Sequence, residues 1–137
     1  MNRLVICTHG EFGRTLKESA ELIVGPIKDI EILCLSPGED PYDYKKRIEN
    51  YLKQHEQDYF LFLVDLFGGT PSNMASTFVK DFNIEIVSGL NLAMLIEVYS
   101  NVNRMPIKLL GELAITTSIN NIKNVKSELL SNQKERL

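Results

Sequence analysis

The sequence predicts an α/β fold: a doubly wound, mainly parallel four-stranded sheet with helices on both faces. Four short β-rich runs alternate with stretches of helical periodicity, the pattern of repeated strand–helix–strand units. The runs RLVIC (3–7) and YFLFLV (59–64) are continuously apolar, as strands covered on both faces must be. Gly-Pro, Asp-Pro and Gly-Gly-Thr-Pro stretches punctuate the alternation where one element must stop and the next begin.

Taken in order, RLVIC is the first strand. Phe12, Leu16, Ala20 and Ile23 follow at helical spacing, and Gly25-Pro26 ends that helix. DIEILCL (29–35) is the second strand, entered from a polar turn. Asp40 supplies an N-cap and Pro41 the first position of a second helix, with Tyr44, Ile48, Tyr51 and Leu52 on its inner face. YFLFLV is the third and most hydrophobic strand, after which Thr70 reads as the N-cap of a third helix and Pro71 as its first residue. IEIVSG (84–89) is the fourth strand, and Asn91 precedes an apolar helical stretch, LAMLIEVY. A last helix runs from Pro106 to about Thr117. The remaining tail is more polar, and its end, SNQKERL, is expected to fray.

Length and composition narrow the function. The 137 residues make one domain, 1–137, with 44% hydrophobic and 24% charged residues, a globular balance. A net charge of −3 without a basic stripe gives no electrostatic argument for nucleic acid or anionic lipid. MNRLVIC is not followed by a secretory h-region, and no apolar run approaches the roughly 20 residues of a membrane span, so a cytoplasmic protein is expected. Cys7 and Cys34 lie in apolar runs and read as buried free thiols. His9 and His55 are not spaced as ligands, so neither a metal nor another cofactor is expected, and His55 reads as a solvated helix-end residue.

Parallel sheets place their sites beyond the carboxyl ends of the strands, and His9, Asp65 and Asn91 fall just past strands one, three and four. Gly68 and Gly69 allow backbone N–H groups to approach a ligand, and Thr70 adds a hydroxyl where a helix begins, a combination suited to phosphate. His9, as a neutral imidazole, is a nucleophile for phosphoryl groups, and Asp65 would accept the hydrogen bond of its protonated nitrogen. The blander readings are a turn whose glycines serve the backbone alone and a structural His–Asp hydrogen bond. Phe12 and Phe67 border the site as an apolar docking rim, although helical periodicity favours core packing for Phe12. Asn91 is a candidate for the same rim or for a turn, and Arg14 is a weaker candidate for reaching a phosphate. There is no G-x-x-x-x-G-K-[ST] and no G-x-S-x-G. A receiver domain would need an acidic cluster where this chain reads THGEFG. Phosphoryl transfer through histidine remains; the alternative is a small-anion or nucleotide-binding module that uses the Gly-Gly-Thr loop without covalent chemistry.

T-H-G after strand one, P-G-E-D at 37–40, LVDLFGGTPSN at 63–73 and G-L-N-L-A-M-L at 89–95 together resemble the enzyme IIA component of the mannose-type sugar phosphotransferase system, over nearly the whole chain. The resemblance implies a phosphotransferase in which His9 receives a phosphoryl group, on Nε2, from the histidine-containing phosphocarrier protein. Enzyme IIB would then take it for the uptake and phosphorylation of a sugar, placing the protein at the cytoplasmic side of the membrane permease components. Asp65 is implied as the partner of His9, and Thr70 as the hydroxyl of the G-G-[ST]-P turn. The resemblance also implies a homodimer, often built by exchanging a C-terminal edge strand, for which INNIKNV (119–125) is the matching stretch. The chain departs from the pattern at Ala93, commonly proline, at Gly13, commonly alanine, and at Ser118 and Asn121, where some members have glycine. A regulatory or dihydroxyacetone-kinase-associated relative is a third reading, to which the T-H-G and G-G-T-P signatures are less close.

Overall fold

A computed structural model of the chain describes residues 1–136. Strands β1 (Asn2–His9), β2 (Ile30–Leu35), β3 (Tyr59–Val64) and β4 (Asn83–Val87) alternate with helices α1 (Phe12–Val24), α2 (Pro41–Gln54), α3 (Thr70–Ser76) and α4 (Leu92–Asn101), and α5 (Ile107–Asn121) and α6 (Val125–Arg136) follow. The four strands form one sheet in the order β2-β1-β3-β4, every neighbouring pair parallel. The continuous apolar runs have the expected cause. Leu4, Ile6, Leu61 and Leu63 face one layer with Ala20, Leu95 and Leu110, while Val5, Cys7, Phe60, Phe62 and Val64 face the other with Tyr44, Ile48 and Leu52.

In α2, Asp40 Oδ1 accepts the backbone N–H groups of Tyr42 at 2.8 Å and Asp43 at 3.4 Å, and Pro41 opens the helix as read. Replacing Asp40 by alanine orphans both donors and is expected to cost about 1 kcal/mol, measured as a lower midpoint in urea with an unchanged slope.

Three expectations are corrected. The first concerns the inner face of α1, which is Gly13, Leu16, Ala20 and Val24, leaving Phe12 44% and Ile23 64% exposed. Gly13 is the reason: a Cβ there would lie 2.6 Å from Ile6 Cγ2, so the helix rolls this bare position onto β1 and turns Phe12 outward. The second concerns α3, whose N-cap is Gly69 in an extended conformation; Thr70 is the first helical residue and Pro71 the second. The third concerns the C-terminal segment. Residues 119–125 form no edge strand, because α5 continues through Asn121 and α6 begins at Val125 after a three-residue break. At the expected helix end, the Ser118 hydroxyl donates to Ala114 O at 2.7 Å and accepts from Asn91 Nδ2 at 2.9 Å, which ties α5 to the start of α4 where a glycine would not. α6 runs to Arg136, and Leu137, the last residue of the SNQKERL stretch, lies outside the described residues.

Cys7 and Cys34 are free and buried, and burial pushes the Cys7 thiol up to about 12, which keeps it uncharged and unreactive at neutral pH. Among the described residues no helix is long and apolar enough to cross a membrane.

Candidate active site

β1 and β3 are parallel neighbours with Cys7 opposite Val64, so the residues that leave their carboxyl ends meet on one edge. His9 ends β1 and Asp65 follows β3. A single carboxylate oxygen, Asp65 Oδ2, accepts the backbone N–H of His9 at 2.9 Å and lies 2.9 Å from His9 Nδ1. An ionised carboxylate only accepts, so a neutral imidazole making this bond carries its proton on Nδ1 and keeps a lone pair on Nε2. The other oxygen, Asp65 Oδ1, is buried without a hydrogen-bond partner.

The glycine loop lies against the far side of the ring. A Cβ on Gly69 would meet His9 Cε1 at 2.6 Å and Nε2 at 3.2 Å, so only glycine lets the loop come this close. Gly68 supplies a left-handed turn at φ 83°. Asn73 ties the loop to α3, with Nδ2 donating to Gly68 O at 3.1 Å and its backbone N–H to Gly69 O at 2.9 Å. Thr70, half-buried, begins the helix beside them.

Around the pair, Phe67 is 85% exposed, and Leu66 and Phe12 also face solvent, which gives an apolar border. Arg14 is occupied: Nε donates to Glu11 Oε2 at 2.8 Å. Asn91 does bond across loops, but toward α5. Its Oδ1 accepts from Met94 N, and its Nδ2 donates to Gly89 O and Ser118 Oγ, so it caps α4 and staples it to α5. His55 is the C-cap residue of α2. Sequence reasoning missed the parts played by Asn73 and Thr8; Thr8 was visible only as the residue flanking His9, and Asn73 only as the end of the P-S-N stretch. A cleft of about 380 Å³, lined by Asn2, Lys28, Asp29, Tyr99 and Arg104 among others, opens at the opposite edge of the sheet and contains none of these site residues. The histidine therefore stands on an open surface, its side chain 46% exposed.

Fold and site together define a parallel α/β domain that presents one oriented histidine at the carboxyl edge of its sheet. The chain belongs to the mannose-type enzyme IIA family (EIIA-man), whose sequence profile, described as "PTS system fructose IIA component", matches residues 3–115. It is 32% identical over 130 residues to the PTS system fructose-specific EIIA component of Bacillus subtilis, covering 93% of this chain and 84% of that one. With the PTS system mannose-specific EIIAB component of Escherichia coli it shares 34% identity over 96 residues, 69% of this chain and 30% of that longer protein. Among solved structures, a phosphotransferase system component EIIA from Streptococcus agalactiae superposes with a TM-score of 0.84 at 28% identity, covering 93% of this chain and 99% of that one. A mannose/sorbose-specific IIA subunit from Enterococcus faecalis superposes with a TM-score of 0.83 at 26% identity, covering 90% and 93%. The protein is thus an EIIA component of the mannose family, a phosphotransferase acting in phosphoryl transfer during sugar uptake.

Proposed function

We propose that His9 accepts a phosphoryl group on Nε2 from the histidine-containing phosphocarrier protein and passes it to enzyme IIB, in a phosphoenolpyruvate-dependent relay. The observation that carries this reading is the 2.9 Å contact between Nδ1 and Asp65 Oδ2, which commits one ring nitrogen and leaves the other free. The Nε2 lone pair forms the new P–N bond as the bond to the donor's histidine breaks. The proton stays on Nδ1, and Asp65 balances the charge the ring acquires. Gly68, Gly69 and Thr70 surround the arriving phosphoryl oxygens, with bare backbone and a hydroxyl at the start of α3. Transfer to enzyme IIB reverses these steps.

The setting suits a relay between proteins better than enclosure of a small ligand. An exposed histidine with an apolar border, Phe12 and Phe67 foremost, is covered by the face of a partner, which displaces the water that would otherwise hydrolyse the reactive P–N bond. The protein acts as one enzyme IIA domain over residues 1–137, at the cytoplasmic face of the membrane permease components, through enzyme IIB. It works as a homodimer: among the described residues the outer edge of β4 has no neighbouring strand, and Ile119, Ile122, Val125 and Leu129 stand exposed along the C-terminal segment. A hexose is the sugar this reading favours, supported by fructose, sorbose and mannose in the relatives' names.

Incubation with phosphoenolpyruvate, enzyme I and the phosphocarrier protein should add the mass of one phosphoryl group. The label should be acid-labile and absent from His9→Ala. Wild-type protein recovered unmodified from that mixture would replace this reading with that of an anion- or nucleotide-binding module.

A further inference from the structure

We propose that Thr8 is a positioning residue of the phosphoryl-transfer site, acting through the turn that holds His9; this rests on the relay reading above. Strand alternation sends the Thr8 side chain to the α1 side of the sheet, with Leu4 and Ile6, and that side chain is fully buried. Its hydroxyl oxygen accepts the backbone N–H of Gly13 at 2.9 Å and lies 3.4 Å from Gly10 O, to which its O–H points. Gly13 is in the first turn of α1, where N–H groups lack intrahelical partners, and the N-cap residue Glu11 gives no side-chain bond. Thr8 therefore does the capping, from the strand end itself. It fixes how far α1 starts from β1.

His9 sits inside this closed turn. Thr8 anchors one side. On the other, Gly10, at φ 54°, donates its N–H to Leu35 O at 2.8 Å. Both bonds from His9, backbone and ring, converge on one oxygen of Asp65. Two donors that share one acceptor tolerate little displacement of their common backbone, so a shift of the turn disturbs the ring nitrogen and its proton together. Thr8→Val keeps the shape but leaves the buried Gly13 N–H without an acceptor, and the first turn of α1 must move to find one.

The test is a pair of measurements on full-length protein, wild type beside Thr8→Val and Thr8→Ser. The first is steady-state phosphoryl acceptance from the phosphocarrier; the second is the imidazole ¹⁵N spectrum of His9, which reports the tautomer without any partner. Thr8→Val should lower kcat by about ten- to a hundredfold with KM for the phosphocarrier little changed, as expected for misplacement of a reacting atom. Its His9 spectrum should move from a single Nδ1-protonated form toward a mixture of tautomers. Thr8→Ser, which retains the hydroxyl, should restore both. A Thr8→Val protein that melts earlier yet keeps the wild-type rate and spectrum would overturn the proposal and leave Thr8 an ordinary helix cap. Should Thr8→Val not fold, the same readings on Thr8→Ala decide the matter. If wild type accepts no phosphoryl group while Thr8→Val still shifts the tautomer, the relay reading fails and the positioning role survives.

Discussion

Gly69→Ala is expected to remove most phosphoryl acceptance while leaving the protein folded. Gly69 lies at φ −79° and ψ 169°, an extended conformation open to any residue, so alanine brings no backbone strain there. The added methyl would instead stand 2.6 Å from His9 Cε1 and 3.2 Å from Nε2, and the first distance is shorter than real carbon contacts allow. Either the imidazole swings away and gives up its 2.9 Å contact with Asp65, or the loop withdraws from the space beside Nε2. Both outcomes misplace the nucleophile relative to its surroundings, and a displacement of that size costs roughly a hundredfold in rate. The loop is near the surface, and the melting temperature should hardly move. A time course of acid-labile labelling beside a thermal melt separates the effects, and a wild-type labelling rate would mean that Gly69 serves the turn alone. Gly68→Ala tests a different cost. At φ 83° Gly68 requires glycine for backbone reasons, and a Cβ there would meet no other atom within 4 Å, so the substitution strains the phosphate loop itself and stability should fall together with labelling.

Asp65→Asn should be at least as damaging, for an electronic reason. The amide is almost the same size as the carboxylate, and its oxygen can still accept the His9 backbone N–H. Because one oxygen, Oδ2, serves both the backbone N–H and Nδ1 of His9, an amide oxygen in its place keeps both bonds and the Nδ1 proton, and what is lost is the negative charge that balances the phosphorylated ring. An NH₂ group in its place would instead face the His9 backbone N–H donor to donor. Comparable substitutions beside a catalytic histidine cost about four orders of magnitude, and a loss of at least about a hundredfold is expected here. Stability should fall modestly, because the NH₂ group then occupies the buried Oδ1 position, which has no hydrogen-bond partner among the described residues. The ¹⁵N spectrum of His9 should keep the Nδ1-protonated form, which assigns the lost rate to the lost charge. A variant that transfers phosphate at the wild-type rate would remove Asp65 from the mechanism.

The regular elements were legible because their signals are local. YFLFLV reads as a buried strand over 59–64 and forms one, buried from Phe60 to Val64 with only Tyr59 exposed at its start, since an unbroken apolar run has no solvent face to offer. Asp40-Pro41 reads as a helix start and caps as expected, because the cap bonds reach only two or three residues ahead. The errors arose where a neighbour outside the window decided. Phe12 and Ile23 have the spacing of an inner face, yet the close approach of Gly13 to Ile6 sets the roll of α1. Residues 119–125 match the family's exchanged strand in position, yet α5 runs on through Asn121 and α6 begins at Val125, with Ser118 bonded to Ala114 and Asn91.

The sequence by itself determined the alternation of strands and helices, the apolar runs that bury both faces of the sheet, and the identities of His9, Asp65 and the glycine loop as the residues at its carboxyl edge. Tertiary structure alone decided which atoms meet. The register of β1 against β3 brings together residues 56 positions apart, aims Oδ2 at Nδ1 and leaves Nε2 free beside Gly69. Periodicity and turn chemistry act within a few residues along the chain, whereas the tautomer of a histidine depends on tenths of an ångström between strands that only the packed sheet can supply.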